Sequence, residues 1–242
     1  MRAVLFDVDG TLLDKPGTEA RFVFYLLRRR VLGWRQLRSA LVFFLRWGWR
    51  YHGDTARKNK AYLDGLEIAM IGSLAAEFVV REVVPRLRPA LVQRLHRHRE
   101  AGEPVALLTG TPDFIAAPLA GALGIEHYCA TRCRDDGHRF LPAPPLRHPL
   151  GTSKFTHARR LCAVLGVRLQ DCIAYADTAR DLPLLSRVRQ PVAVTPDRTL
   201  RHIARERDWE ILDTPASERE LAAQVHHIAP AHGIHRLFNH RR

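Results

Sequence analysis

The chain has 242 residues, 46% of them hydrophobic, so it is long enough to fold around a substantial core, and disorder throughout is excluded. Thirty-eight Lys and Arg against twenty-five Asp and Glu leave a formal charge of +13, which favours anionic partners such as phosphorylated substrates, nucleic acid or an acidic membrane surface. The sequence has no secreted-type cysteine framework, no signal-peptide segment at its start and no apolar run long enough to cross a membrane. We therefore expect a cytoplasmic protein.

Short apolar runs alternate with amphipathic segments along most of the chain. This alternation is typical of a parallel sheet covered by helices, and it predicts an α/β fold with a doubly wound parallel-sheet core. The predicted strands are Ala3–Phe6, Pro104–Leu108, Asp171–Tyr175, Pro191–Val194 and Trp209–Leu212, with a further strand indicated around Cys129. The predicted core helices are Arg86–Glu100, Pro112–Leu123 and Ser153–Leu165, and the proline-rich residues 135–149 are predicted to form a loop.

About a hundred residues separate the first two predicted strands, far more than one crossover helix needs. We expect an all-helical cap here, spanning residues 16–85, between core segments 1–15 and 86–212. Its predicted helices are Thr18–Arg30, Trp34–Tyr51, Ala56–Asp64 and Ser73–Val84, the last with Ser73 as its N-cap. Residues 213–242 form a tail after the last strand that we expect to be partly mobile.

The predicted helix Trp34–Tyr51 combines six aromatic residues with four arginines. This composition suits the interface of an anionic membrane. It also suits a cap helix whose apolar face is buried against its neighbours while long arginine side chains extend to solvent. We expect the buried cap helix and keep peripheral contact with an anionic membrane as the alternative.

Polar side chains follow several of the predicted strands, where ligands of open parallel sheets collect. These residues are Asp7 and Asp9 after the first strand, Thr109, Gly110 and Thr111 after the second, Asp177 and Asp181 after the strand ending at Tyr175, and Lys154 near the start of a helix. Clustered carboxylates repel one another unless a cation offsets their charge, and an oxygen-rich cluster of hard ligands suits Mg²⁺. The sequence therefore predicts a magnesium site at this edge of the sheet.

The same groups suit phosphoryl transfer. Asp7 can attack phosphorus and form an aspartyl-phosphate, while Lys154 and the Thr109 hydroxyl offset charge on the phosphoryl oxygens. Asp9 can protonate the leaving oxygen and later activate water. An isolated Asp-x-Asp pair is more often a turn than a catalytic site, but the occurrence of all these groups in one order favours catalysis. Lys154 is assigned by elimination, because no other lysine lies between Lys60 and the C-terminus.

These motifs resemble the haloacid dehalogenase superfamily, in its phosphoserine-phosphatase-like branch with a helical cap after the first strand. The resemblance covers roughly residues 1–212 and rests on Asp7-x-Asp9-Gly10-Thr11, Thr109-Gly110-Thr111, Lys154 and the segment from Tyr175 to Leu185. It implies a Rossmann-like core and a magnesium-dependent phosphatase. The implied roles are Asp7 as nucleophile, Asp9 as general acid and base, Thr109, Gly110 and Lys154 as phosphate ligands, and Asp7, Asp177, Asp181 and the Asp9 main-chain carbonyl on the metal side.

Two positions depart from that branch. Ala176 stands where many members have Gly, which matters if the loop of Asp177 needs a positive φ. The glutamate that holds the amine of phosphoserine in true phosphoserine phosphatases has no counterpart before Glu19, which argues against phosphoserine as the substrate.

Several hypotheses about the substrate and the function stay open. The substrate is either a small phosphorylated metabolite or a phospholipid-derived phosphate, since the segment from Thr109 to Pro112 is similar to phosphatidylglycerophosphate phosphatases of the superfamily. Phosphoryl transfer to a second substrate, as in a phosphomutase, is an alternative at the same site. A different class of function is a basic membrane-surface module that retains the fold. Nucleic acid is not expected as a partner, because the basic cluster at residues 201–207 is interrupted by acidic residues.

Overall fold

Six short strands form the sheet at the centre of the structure, a computed structural model that describes residues 2–214. The strands are β1 (Val4–Phe6), β2 (Val105–Pro112), β3 (His127–Thr131), β4 (Ile173–Ala176), β5 (Gln190–Val194) and β6 (Glu210–Leu212). All neighbouring strands are parallel, in the order β3-β2-β1-β4-β5-β6, so β1 lies between β2 and β4. This arrangement confirms the doubly wound α/β fold.

Both faces of the sheet are buried, which explains why its strands are continuous apolar runs. Along β1, Val4 and Phe6 join one hydrophobic cluster and Leu5 joins a second cluster on the opposite face. Successive side chains of a strand point to opposite faces, so three residues are enough to contribute to both layers. The sheet is therefore anchored from two sides, and its strand ends are held in fixed positions.

Helices fill the connections between the strands. They are α1 (Thr18–Arg28), α2 (Trp34–Tyr51), α3 (Thr55–Lys58), α4 (Ile68–Phe78), α5 (Pro89–Glu100), α6 (Asp113–Ala122), α7 (Thr152–Val164), α8 (Leu182–Leu185) and α9 (Arg198–Glu206). The first four lie between β1 and β2, where the helical insert is expected. Phe22 of α1 packs against Phe78 of α4 and Phe114 of α6, with ring centroids 5.2 and 5.6 Å away. Helices α1 and α4 thus share a hydrophobic cluster with the rest of the fold.

Two predicted helices of the insert differ from the observed ones. The helix expected at Ser73–Val84 begins at Ile68, and Ser73 is no N-cap, since its hydroxyl donates to the Ala69 carbonyl one turn earlier. The helix expected at Ala56–Asp64 ends at Lys58. There the side chain of Asn59 accepts a hydrogen bond from the backbone N–H of Ala61, a local contact that competes with helical hydrogen bonding.

The expectation that α2 buries its apolar face is wrong. Only Gln36 and Phe43 of this helix are buried, while large apolar side chains on its other side are exposed, among them Trp34 at 77% and Leu45 at 76%. Within residues 2–214, no helix combines the length and hydropathy needed to cross a membrane. Of the predicted tail, residues 215–242 lie outside the described part of the chain, so its expected mobility stays a prediction.

Candidate active site

A cavity of about 590 Å³ lies at the carboxyl ends of β1, β2 and β4. All the residues predicted to form the site line it, namely Asp7, Asp9, Thr109, Gly110, Lys154, Asp177 and Asp181. Their convergence follows from the topology, because the parallel strands β1, β2 and β4 are direct neighbours and end at one edge of the sheet.

Lys154 connects two of the predicted carboxylates. Its Nζ lies 2.9 Å from Asp7 Oδ2 and 2.8 Å from Asp181 Oδ2, and the side chain is almost fully buried in the first turn of α7. Burial disfavours the charged ammonium, but Asp181 and Asp7 outweigh it and raise the pKa of Lys154. Lys154 is therefore held as a cation beside Asp7.

Asp9 lies in a network of threonines. Its Oδ1 accepts a hydrogen bond from the Thr18 backbone N–H at 2.6 Å, and its Oδ2 accepts from the hydroxyls of Thr18 at 3.2 Å and Thr111 at 3.0 Å. Burial is the main cause of the raised pKa of Asp9, and the contacts with Thr18 and Thr111 oppose it only in part. A raised pKa favours the protonated form, which is the form that a general acid needs.

Asp177 packs against the turn that follows Asp9. Gly10 has φ +91°, and a Cβ at this position would lie 2.0 Å from Asp177 Oδ2, so only glycine allows this approach. Burial, and then the charge of Asp7, raise the pKa of Asp177 to about 6, while Lys15, whose Nζ is 3.2 Å away, opposes the shift. Ala176 is the last residue of β4 and does not have a positive φ, so its side chain is compatible with this loop.

Gly110 and Thr109 lie in the second half of β2. Thr109 donates its hydroxyl to Thr111 Oγ1 at 3.0 Å, which links it to Asp9 through Thr111. The Thr131 hydroxyl donates to the Gly110 carbonyl at 2.6 Å and lies 2.7 Å from His148 Nδ1. Since that hydroxyl proton is already donated, His148 must donate from Nδ1, and its Nε2 is then an unprotonated acceptor.

Sequence reasoning missed several residues that line the same cavity. They are Lys15, Glu19, Arg57, His148, Arg180 and Asp197. Glu19 accepts hydrogen bonds from Lys60 Nζ at 2.6 Å and from the Tyr62 hydroxyl at 2.9 Å, and Lys60 is only 1% exposed. The sequence feature that could have pointed to Lys60 was composition, because lysine is rare in this chain and two of its four lysines lie close together at Lys58 and Lys60.

The oxygen donors at this edge fit a Mg²⁺ ion. Among the residues that the structure describes, no three His, Cys, Asp or Glu side chains form a metal-ligating group. Mg²⁺ retains several waters and uses one or two protein carboxylates, so it does not require such a group. Asp7 is close enough to Asp177 for its charge to raise the pKa of Asp177, and the contact of Asp177 with Gly10 brings the Asp177 carboxylate against the turn after Asp9.

Comparison with known proteins identifies the family. Residues 4–186 match the family model of haloacid dehalogenase-like hydrolases. The chain is 32% identical over 221 residues to a phosphoserine phosphatase of Mycobacterium tuberculosis (strain H37Rv), covering 87% of this chain and 70% of that protein. It is 30% identical over 220 residues to a histidinol-phosphatase of Neisseria meningitidis serogroup C, covering 86% and 97%.

A solved structure has a fold similar to that of this chain. A protein of unknown function from Bordetella pertussis Tohama I superposes with a TM-score of 0.74 at 28% identity, covering 88% of this chain and 98% of that one. The sequence match, the parallel sheet and the cavity at its carboxyl edge lead to one assignment. The chain belongs to the haloacid dehalogenase-like hydrolase family.

Proposed function

We propose that this protein is a magnesium-dependent phosphatase that hydrolyses a phosphate monoester through an aspartyl-phosphate on Asp7. The observation that supports this proposal best is the buried ammonium of Lys154, which lies 2.9 Å from Asp7 Oδ2. A phosphoryl group bound beside Asp7 brings its negative oxygens next to this cation, where burial strengthens the attraction. The names of two relatives, a phosphoserine phosphatase and a histidinol-phosphatase, support the same reaction class.

The proposed reaction has two steps. Asp7 Oδ attacks phosphorus as the ester bond breaks, while Lys154 and the Thr109 hydroxyl stabilise the phosphoryl oxygens. Protonated Asp9 gives its proton to the leaving oxygen, and the resulting carboxylate then takes a proton from the water that attacks the aspartyl-phosphate. Thr18 and Thr111 orient Asp9 for both transfers.

Asp7, Asp177 and the Asp9 main-chain carbonyl are the proposed ligands of Mg²⁺. When bound, the ion offsets the negative charge of the carboxylates and of the phosphoryl group. We assign Asp181 chiefly to Lys154, because its Oδ2 accepts a hydrogen bond from that ammonium at 2.8 Å.

The substrate is proposed to be a small phosphorylated metabolite or a phospholipid-derived phosphate rather than phosphoserine. Beyond the predicted set, the acidic side chains lining the cavity in the described part of the chain are Glu19 and Asp197, and the Glu19 carboxylate already binds Lys60 and Tyr62. The same cavity is lined by the cations Lys15, Arg57 and Arg180. The ammonium group of a substrate such as phosphoserine would therefore lie near positive charges that repel it. Glu19, the carboxylate nearest in sequence to the expected amine-binding position, already binds Lys60 and Tyr62.

The test is the variant Asp7→Asn. Turnover of p-nitrophenyl phosphate with Mg²⁺, measured as phosphate release without an added acceptor, should fall by at least about a thousandfold. The matched control is Asp171→Asn at the opposite, amino end of β4, where the carboxylate binds Arg168 on the surface. In the wild type, acid quenching should trap a phosphoryl-protein adduct that hydroxylamine cleaves, and Asp7→Asn should lack it. Magnesium-dependent turnover retained by Asp7→Asn would refute the proposed nucleophile.

A further inference from the structure

Helix α2 presents an apolar surface to the outside of the molecule. Seven of its large apolar side chains are exposed, namely Trp34, Leu37, Leu41, Val42, Phe44, Leu45 and Trp49. At 100° per residue, Trp34, Leu37, Leu41 and Leu45 fall on one side of the helix and the buried Gln36 and Phe43 on the other. The outward side is thus at least as apolar as the inward side, which is unusual for a surface helix.

Positive charge accompanies this apolar side. The helix contains Arg35, Arg38, Arg46 and Arg50, all exposed, and neither Asp nor Glu occurs in its eighteen residues. Arg35 pairs with Asp64 at 3.1 Å. At 100° per residue, Arg38 falls within the apolar side and Arg46 on its flank. Large apolar and aromatic side chains flanked by arginines are the pattern of a helix that lies in a membrane interface and attracts anionic lipids.

The charge distribution argues against a second copy of the chain as the partner. A symmetric dimer through α2 would place the same surface on both sides of the interface, so the arginines of one copy would face those of the other. An anionic lipid surface instead accepts both the apolar side chains and the arginines. With four arginines, the helix is not apolar enough to span a bilayer, so it would lie along the surface.

We propose that the outward side of α2 binds the surface of an anionic membrane. The helix ends at Tyr51, and Arg57 on the following α3 already lines the active-site cavity, so binding through α2 holds the cavity close to the lipid surface. This inference concerns a surface that the proposed reaction does not use.

Vesicle co-sedimentation of the full chain tests the proposal. The wild type should bind vesicles of phosphatidylcholine mixed with phosphatidylglycerol more tightly than vesicles of phosphatidylcholine alone, and added salt should weaken binding. Leu45→Glu should reduce partition to the anionic vesicles by at least about tenfold, because it adds negative charge at the centre of the apolar side.

Val164→Glu is the matched control. Val164 is 74% exposed on α7 and Leu45 is 76% exposed on α2, so the two substitutions introduce the same charge at equally exposed helical positions. Thermal unfolding verifies that both variants are folded, independently of any phosphatase activity. The proposal is overturned if the wild type does not bind anionic vesicles, if Val164→Glu weakens binding as much as Leu45→Glu, or if light scattering shows a dimer that Leu45→Glu dissociates.

Discussion

Asp9 owes its position to residues far away in the chain. Thr18 begins the first inserted helix and Thr111 lies on β2, yet both donate hydrogen bonds to the same carboxylate. The Thr18 backbone N–H belongs to the first turn of α1, where the helix has unpaired donors and a partial positive charge. The carboxylate is therefore fixed in orientation before a substrate binds, and its raised pKa favours the protonated form that the proposed general acid needs.

If Asp9 is the general acid, Asp9→Asn should affect substrates unequally. Nitrophenolate leaves without help, so the variant should still release a burst of nitrophenol from p-nitrophenyl phosphate, followed by turnover about 10² to 10⁴ times slower than in the wild type. With an alkyl phosphate, whose alkoxide needs a proton, both the burst and the turnover should be lost. Rapid-quench kinetics on the two substrates makes the comparison. Equal losses on both, with no burst on either, would leave Asp9 only a structural role.

At the level of elements, the turn after β1 depends on glycine. Gly10→Ala would place a Cβ 2.0 Å from Asp177 Oδ2 and keep a φ of +91° that L-residues avoid, so Asp177 must shift. Gly102→Ala is the matched control, because Gly102 also has a positive φ, +71°, but no atom within 4 Å of its added Cβ. Urea unfolding should show a loss of about 1 kcal/mol for Gly102→Ala. Gly10→Ala should lose more unfolding free energy than Gly102→Ala, and only Gly10→Ala should lose turnover. Equal effects of the two substitutions on stability and turnover would mean that the contact with Asp177 is unimportant.

Elements of the sheet could be predicted from sequence, and the orientation of the inserted helices could not. Each strand is a short apolar run bounded by turn residues, a pattern typical of strands buried on both faces. Helix α2 is apolar on both sides, with Phe43 facing inward and Leu45 outward, so its sequence does not reveal which side is covered. The early end of α3 depends on Asn59 and on the inward turn of Lys60, contacts that no periodicity indicates.

For the whole molecule, the site could be anticipated because topology does most of the positioning. Asp7 and Asp177 follow β1 and β4, Thr109 lies in the second half of β2, and the pairing of β2 and β4 with β1 brings the three positions together. Lys154 could be found because lysines are scarce in this chain. Thr18 and Arg57 could not be predicted as site residues from the sequence. Their positions depend on how the helices between β1 and β2 pack against the sheet, which the local sequence does not determine.

The stability of the whole molecule should depend on pH through His148. Burial is the main cause that lowers the pKa of His148 from 6.5 to about 3, and the nearby Lys60, Lys58 and Arg57 add to it. In the unfolded chain this histidine binds a proton below about pH 6.5, whereas in the native state it stays neutral. The contribution of His148 to the free energy of unfolding is therefore fully present above about pH 6.5 and is lost as the pH falls. The loss is about 1.4 kcal/mol at pH 5.5.

Urea unfolding of the wild type and of His148→Gln at pH 8 and pH 5.5 isolates this contribution. The glutamine can still donate to Thr131 but does not titrate, so the variant should lack the His148 part of the loss. The comparison is needed because Asp177, whose pKa is raised to about 6, has the opposite effect and stabilises the native state as the pH falls. Asp177 is present in both proteins, so its effect cancels in the difference. If the two proteins differ in free energy of unfolding by the same amount at both pH values, His148 binds a proton equally well in the native and unfolded states.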